Sequence, residues 1–598
     1  MQTVYKTSPA ELSGMPPGVP HIIGNEAAER FSFYGMKAVL AVFMVKYLHL
    51  MNETAGTSMS ETAATEKVHL FTFAVYFTPL LGALLADIFW GKYRTIIVLS
   101  VVYVMGHAAL AFMGVTGEAS LWLFAGLALI ALGSGGIKPC VSAHVGDQFG
   151  ARNAHFLPKI FNWFYFSINL GAMVSMLLTP WLLEWYGPHW AFGVPGVLMA
   201  LATLVFWIGR KRFIHVPAGG SRFVREITSR EGWSTLLRLA PLYIFVAMFW
   251  ALFDQTGSTW IFQAQDMDRQ FLGSEWLPSQ IQSLNSVFVL TFIPLFAYGL
   301  YPAISKIWLL TPLRKISIGL FVMVASFALV AYVQGLIDAG GRPNIIWQVV
   351  AYALLTASEV MVAIVSLEFA YTQAPKTMKS LVMCFFLGAV AIGNLFTAAI
   401  NHFIQIDAPI FSKTGTHPGF DGKFGTADDL RKVEGELQFA EKARLNQAID
   451  KIVGRISKSE GFPEKLDLGA PDLHYQVLNS RTVRISADGP DGKSKTKWDT
   501  GVTLTLPEIK KEKKASWTDS LHPDTPWLDR RKAELATIEP PEKTAPYSDL
   551  FATEFYTGGG TKLEGAPYFR FFTWLMLASA ILFIPYAISY KEKTHLQD

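Results

Sequence analysis

The chain is predicted to be an all-α polytopic membrane protein: twelve transmembrane helices in two six-helix lobes, with a polar extracytoplasmic insertion between helices 11 and 12. Three observations lead there. Hydrophobic residues make up 51% of the 598 residues and charged residues only 16%, against roughly 25% charged in an ordinary soluble protein. Apolar runs long enough to cross a bilayer, about 20 residues each, recur along the chain. Basic residues collect in alternate loops. A flat run such as "LWLFAGLALIALGSGG" excludes a membrane barrel, whose strands alternate with period two.

The twelve spans fall at about 22–49, 66–88, 93–115, 120–145, 157–183, 189–209, 237–263, 280–304, 312–336, 344–371, 378–404 and 567–590. Residues 1–20 lack the basic start, apolar core and small-residue cleavage site of a signal peptide, so the first span is expected to insert uncleaved. Lys92 and Arg94 lie between spans two and three. Arg210, Lys211, Arg212, Arg222, Arg225 and Arg230 lie between six and seven, Lys306, Arg314 and Lys315 between eight and nine, and Lys376 and Lys379 between ten and eleven. The intervening loops are nearly free of basic residues, which places both termini in the cytoplasm. The expected organisation is a cytoplasmic segment 1–21, an N-terminal lobe 22–210, a linker 211–236, helices 7–11 over 237–404, the insertion 405–566, helix 12 over 567–590 and a tail 591–598. Without a targeting segment, the expected location is a cell membrane, plasma or inner.

A net charge of +4 and the lack of a basic stripe give no sign of a nucleic-acid partner. Cys140 and Cys384 lie in apolar stretches, where small packing residues are the natural reading and a disulfide framework or Cys-based metal site is not. The insertion is rich in Lys, Asp, Glu, Pro and Gly. It has a helical-looking stretch around 428–458 and alternating pieces, "HYQVLNSRTVRIS" and "GVTLTLPEI", that read as strands. A folded domain and a partly disordered segment both fit. "DGKFGTADDL" at 421–430 hints at a calcium loop, but His417 and Gly419 stand where the first ligands belong, which favours a polar turn.

Ionisable residues inside a span cost roughly 2.5–3.5 kcal/mol each on insertion scales, so those that persist usually face a cavity and a partner. In "EAAERFSFYGMK", Glu26, Arg30, Phe33 and Lys37 follow one helical stripe, with Glu29 to the side. His69 and Tyr76 share a face of the second span. Lys138 follows the glycine-rich "GSGGIKP", which lets another helix approach. Tyr165 and Asn169 are one turn apart in the fifth span, as are Trp250 and Asp254 in the seventh. Glu359 and Glu368 occupy the tenth, with Glu368 read as structural. In "GALLADIFWGKYRT", Gly82 permits close packing, and Asp87, Lys92 and Arg94 suggest a charge latch at the cytoplasmic face. That segment resembles the loop motif of the major facilitator superfamily.

Five strings in order, "EAAERFSFYGM", "GSGGIKPCVSAHVGDQF", "FYFSINLGA", "FWALFDQTGS" and "LEFAYTQAPKTMKS", resemble the proton-coupled oligopeptide transporters, a branch of that superfamily. The resemblance runs from 22 to 404 and does not cover the insertion. It implies a major facilitator fold and import of di- and tripeptides with protons, with protons as coupling ion and no other cofactor. It assigns proton coupling to Glu26, Glu29, Arg30, His69, Lys138 and Asp254. It assigns peptide binding to Arg30, Tyr34, Lys37, Tyr76, Lys138, Tyr165, Asn169, Trp250, Asn285 and Glu359, with Asp87, Lys92 and Arg94 in gating and packing. Phe33, Lys37, Ala363 and Phe386 depart from the family's usual Tyr, Arg, Ser and Trp. Ala297 replaces an Asp of animal members, which removes one proposed ion pair.

The expected mechanism is alternating access. A peptide carboxylate would meet Arg30, Lys37 and Lys138, and its ammonium would meet Glu359, aided by Asn169 and Asn285. Protonating Glu26 or Glu29 would release Arg30 or Lys138 from internal pairing. Two alternatives remain: a relative carrying nitrate or another organic anion, and a surface receptor or enzyme acting through 405–566, where no nucleophile–base pair, metal cluster or phosphate loop is legible.

Overall fold

The computed structural model describes residues 5–8, 14–150, 152–218, 230–373, 379–433, 436–454, 456, 461–507, 522–538 and 550–590. Arg222, Arg225 and Lys376 lie outside the described residues.

The first six long helices are α1 (Val19–Lys46), α2 (Glu61–Leu84), α3 (Lys92–Ala111), α4 (Ala119–Gly146), α5 (Leu157–Tyr186) and α6 (Pro188–Ile208). The second set begins with α7 (Arg230–Phe253), continued by a 3-10 turn at Asp254–Gly257 and a short helix at Thr259–Gln265. Then come α8 (Pro278–Ser305), α9 (Pro312–Asp338), α10 (Ile346–Glu359, prolonged through Val365–Gln373) and α11 (Lys379–Ile404). Among the described residues eleven helices are long and apolar enough to cross a membrane. The helix that misses this standard is α1, and it misses on charge: 28 residues suffice in length, but Glu26, Glu29, Arg30 and Lys37 interrupt them. It nevertheless sits inside the first bundle, against α5, α6, α2 and α4.

Two apolar cores follow from this packing. One gathers residues such as Phe33, Phe43, Ile130 and Phe192; the other gathers Leu242, Phe249, Trp260, Phe327 and Phe572. Close approach within the first depends on missing side chains. A Cβ on Gly82 of α2 would fall onto the Gly136 carbonyl of α4, and one on Gly133 would come within 2.7 Å of Tyr103 on α3. The glycine-rich stretch before Lys138 therefore does what its composition suggests. The bundles meet along α2 with α11 and α5 with α8.

Between α11 and the last long helix the chain builds a third unit with its own core, including Leu445, Ile449, Val483, Ile485 and Val502. After a small hairpin, β1 (Gln270–Phe271) and β2 (Ser274–Glu275), the insertion adds two sheets. One is β3 (Thr416–His417), β4 (Leu430–Val433) and β5 (Glu436–Gln438). The other is an antiparallel meander of β6 (Leu473–Asn479), β7 (Thr482–Ala487), β8 (Thr500–Thr505) and β9 (Ala552–Thr557). Both predicted strand segments lie in the meander. The predicted helix at 428–458 is shorter: α12 covers Lys442–Val453, and its first third is strand. Apolar residues at one-turn spacing, Leu445, Ile449 and Ile452, stop where α12 stops. A second short helix, α13 (Trp527–Ile538), precedes β9, and α14 (Ala566–Ser589) closes the described chain.

Residues 421–430 form a polar turn. Asp428 Oδ2 accepts the Phe420 and Asp421 N–H groups at 2.6 and 3.0 Å. The Asp421 N–H and the Thr426 hydroxyl hold its carboxyl below the usual carboxylate range. Its acceptor oxygens close the turn.

Candidate functional site

Helix α1 supplies the centre of the site because it runs through the first bundle with its charges inward. Arg30 Nε donates to Glu26 Oε1 at 2.7 Å and lies 3.2 Å from Glu29 Oε2. Glu29 Oε1 also accepts the Ser134 hydroxyl of α4 at 2.6 Å. Both carboxylates are almost fully buried. Paired charges of this kind inside a helix bundle are costly unless they are used.

Lys138 departs from the expected pairing. Its Nζ has no hydrogen-bond partner and no acid within ion-pair distance. It sits instead over the Phe33 ring at 4.0 Å and the Tyr76 ring at 4.6 Å. The aromatic faces partly offset its charge. The idea that protonating a glutamate frees Lys138 from an internal ion pair is therefore corrected: Arg30 is the paired cation, and Lys138 is already unpaired. Phe33 forms one face of this seat.

Lys37 is also placed differently from the expectation that it meets a peptide carboxylate. Its Nζ donates to Asp254 Oδ1 of the other bundle at 2.7 Å. Asp254 Oδ2 accepts from Asn394 at 2.7 Å, and Asn394 Oδ1 is 2.7 Å from His69 Nδ1. His69 Nε2 reaches Ser258 at 3.2 Å. Lys37, Asp254, Asn394, His69 and Ser258 thus form one buried network joining α1, α2, α7 and α11. Sequence reading missed Asn394 and Ser258. Asn394 stands in the apolar "AIGNLF", where an amide carries the same insertion cost that singled out Asn169.

The other bundle contributes Glu359, whose Oε2 accepts from Asn285 at 2.8 Å, with Thr356 holding the same amide at 3.0 Å. Directly after Glu359, α10 widens into a π turn over Val360–Ile364, a distortion common at functional sites. Tyr34 lies within electrostatic reach of Arg30 and Glu29 on its own side and of Glu359 and Asp254 across the interface. Tyr165 is within reach of Glu359 and Tyr34, and Tyr76 of Tyr34 and Asp254. The Asn169 amide is turned to the Tyr165 carbonyl at 3.0 Å. Trp250 packs edge-on to Phe249 and Phe253, with its Nε1 unpartnered. Tyr34 thus links the Arg30 and Glu29 charges of one bundle to Glu359 and Asp254 of the other.

The expected latch is rearranged. Lys92 pairs with Asp147 at the end of α4, at 2.7 Å, and Asp87 forms no ion pair. Arg94 is exposed, Phe386 is buried, and Ala297 faces outward.

In the half nearer the insertion, a set of hydrogen bonds and ion pairs joins the bundles. Besides the Lys37–Asp254 network these are Glu66 with Gln405 at 2.6 Å and with His402 at 3.5 Å, Gln280 with the Leu177 carbonyl, and Gln282 with the Ala38 carbonyl.

The model of the POT family matches residues 93–230 and 221–414. Human solute carrier family 15 member 2 is 39% identical over 368 residues, 54% of this chain and 49% of that protein. Peptide transporter family 1 of Drosophila melanogaster is 37% identical over 53% of this chain and 47% of its own. The chain spans about half the length of the curated relatives it matches. Among solved structures, the POT family transporter PepTSo is 36% identical with a TM-score of 0.58, over 65% of this chain and 90% of that one. An auto-inhibited POT family peptide transporter is 34% identical with a TM-score of 0.59, over 64% and 88%. With the family model covering more than half of its residues, the chain belongs to the POT family.

Proposed function

We propose that this protein imports di- and tripeptides together with protons by alternating access. Its insertion side faces away from the cytoplasm and both termini face the cytoplasm of a cell, plasma or inner, membrane. The observation that carries the reading is the division of charge across one space: Arg30 and Lys138 with two glutamates on one bundle, Glu359 on the other. A short peptide has an anionic and a cationic end, and such a space can hold both. The unpaired Lys138 is ready for the carboxylate. Glu359, oriented by Asn285, takes the ammonium, while Tyr34, Tyr76, Tyr165 and Trp250 leave room for varied side chains.

Arg30 supplies the coupling. While both glutamates are ionised it is held by them; a proton on Glu26 or Glu29 weakens that hold and frees the guanidinium for the peptide. Moving one proton inward through 100 mV supplies about 2.3 kcal/mol, enough for roughly fifty-fold accumulation. The bonds between bundles gather in the insertion-side half, which supports an inward-facing state. His69, Asn394 and the Lys37–Asp254 pair form its closed outer gate. Asp147 and Lys92 staple α4 to the α2–α3 turn and take no part in binding. An anion carrier is disfavoured because Glu26 and Glu29 already occupy Arg30.

The test is uptake of labelled dialanine into proteoliposomes under an imposed pH gradient. Lys138→Ala and Glu29→Gln should each abolish gradient-driven accumulation. Unchanged accumulation in both removes the assignment.

A further inference from the structure

Where the insertion meets the helices it roofs a cavity of about 330 Å³. Its lining includes Glu61 and Thr65 at the start of α2, Gln263 and Asp266 at the end of the short helix after α7, Asp338 at the end of α9, and Gln476 and Asn479 of β6. Asn479 Nδ2 donates to Asp266 Oδ1 at 2.9 Å, across 213 residues of sequence. The same side chain caps its own hairpin, since Asn479 Oδ1 accepts the Arg481 N–H at 2.9 Å. The turn between β6 and β7 therefore fixes the amide and aims its N–H at the carboxylate.

Asp266 lies just past the end of its span and is half-buried. Loss of water pushes its carboxyl up to about 6, against the pull of Lys46, Arg481 and Arg269 and with Asp338 adding to the rise. Glu61 faces it from the other bundle. Arg484 and Glu564, also at the cavity, pair at 2.9 Å, while Asp338 joins Asp266 and Glu61 as a third carboxylate of its lining.

We propose that this junction is a proton-binding station outside the central chamber. Asp266 and Glu61 share the proton, and the insertion, through Asn479, sets the external acidity at which they take it. The inference rests on the proton-coupled reading above. Asp266 and Glu61 belong to different bundles, so when both are charged their repulsion favours separating the outer rims. A proton on either carboxyl removes that repulsion and lets the mouth close. The Asn479 N–H stabilises the charged carboxylate and so holds the station open to lower pH.

The experiment is dialanine uptake by the full chain in proteoliposomes, with external pH varied, internal pH fixed and voltage clamped. Asn479→Leu should raise the midpoint of the acid limb by roughly half to one pH unit. That variant could disturb the hairpin, so Asn479→Asp is the control. It keeps the acceptor for Arg481 N–H, places a second carboxylate beside Asp266 and should shift the midpoint further in the same direction. In an Asp266→Asn background neither change should move it. Superimposable profiles for wild type and Asn479→Asp overturn the proposal, as does an equal shift without Asp266. Failure of the broader reading looks different: no protein, wild type included, accumulates peptide on the gradient.

Discussion

Lys138 is a cation with two aromatic faces and no acid in pairing range, and that arrangement is the clearest chemical statement in the molecule. Its opposite is the Lys37–Asp254 pair, buried and closed at 2.7 Å. Removing one partner of a buried pair leaves an uncompensated charge, at about 3–5 kcal/mol. Lys37→Ala should therefore open the outer gate, read as a large gain in labelling, from the insertion side, of a cysteine placed at Thr72, buried one turn inward of His69 on α2. The swap Lys37→Asp with Asp254→Lys should restore much of the closure. Equal labelling of Lys37→Ala and wild type would exclude a gating role. Glu359→Gln keeps an acceptor for Asn285 but gives up the charge. It should raise KM for dialanine by roughly ten- to a hundred-fold, the range of one charge-assisted bond, with a smaller effect on kcat. The ionisable residues themselves were legible because each breaks an apolar run. Their partners were not: Asp254 meets Lys37 across 217 positions, and spacing on one helix says nothing about a neighbouring helix. The expected Asp87 latch failed for that reason, with Asp147 of α4 in its place.

At the scale of elements, glycines decide where helices approach, and π turns mark where the hydrogen-bond ladder widens. Gly82→Val would drive a side chain into the Gly136 carbonyl of α4. Overpacking of this kind typically costs about 1–3 kcal/mol, so the variant should melt several degrees below wild type in detergent. An unchanged melting temperature would mean that α2 and α4 are not packed as described. Of three π turns, the one at Leu85–Trp90 ends α2, and those at Leu295–Leu300 and Val360–Ile364 interrupt α8 and α10. Hydropathy located the spans because burial in lipid and in a bundle both select apolar residues. It was silent on π turns, which change hydrogen bonding without changing composition. The insertion's strands were visible in their alternation. The expected helix at 428–458 was overdrawn, because Leu430–Val433 pairs with β3 and Glu436–Gln438 pairs with β4, and both are strand.

For the molecule as a whole, the two bundles and the insertion divide the labour. The insertion leaves and rejoins the helices at one place: Lys562 N–H donates to the Ile404 carbonyl at 2.7 Å and Ile406 N–H to Gly560 at 3.1 Å. Its ends are therefore close, and excising 408–558 with a short glycine bridge should leave uptake intact while altering its pH response. Loss of all uptake in a well-folded excision variant would move part of the chemistry into the insertion. The central claim is that a proton on Glu26 or Glu29 releases Arg30 to hold the peptide, so that the two load together. The most direct measurement is proton movement driven by peptide alone, in proteoliposomes carrying a trapped pH dye and no imposed gradient. Inward-directed dialanine should acidify the lumen in wild type, and Glu29→Gln should exchange dialanine in counterflow without acidification. Dialanine uptake by wild type with no change in luminal pH would contradict the account.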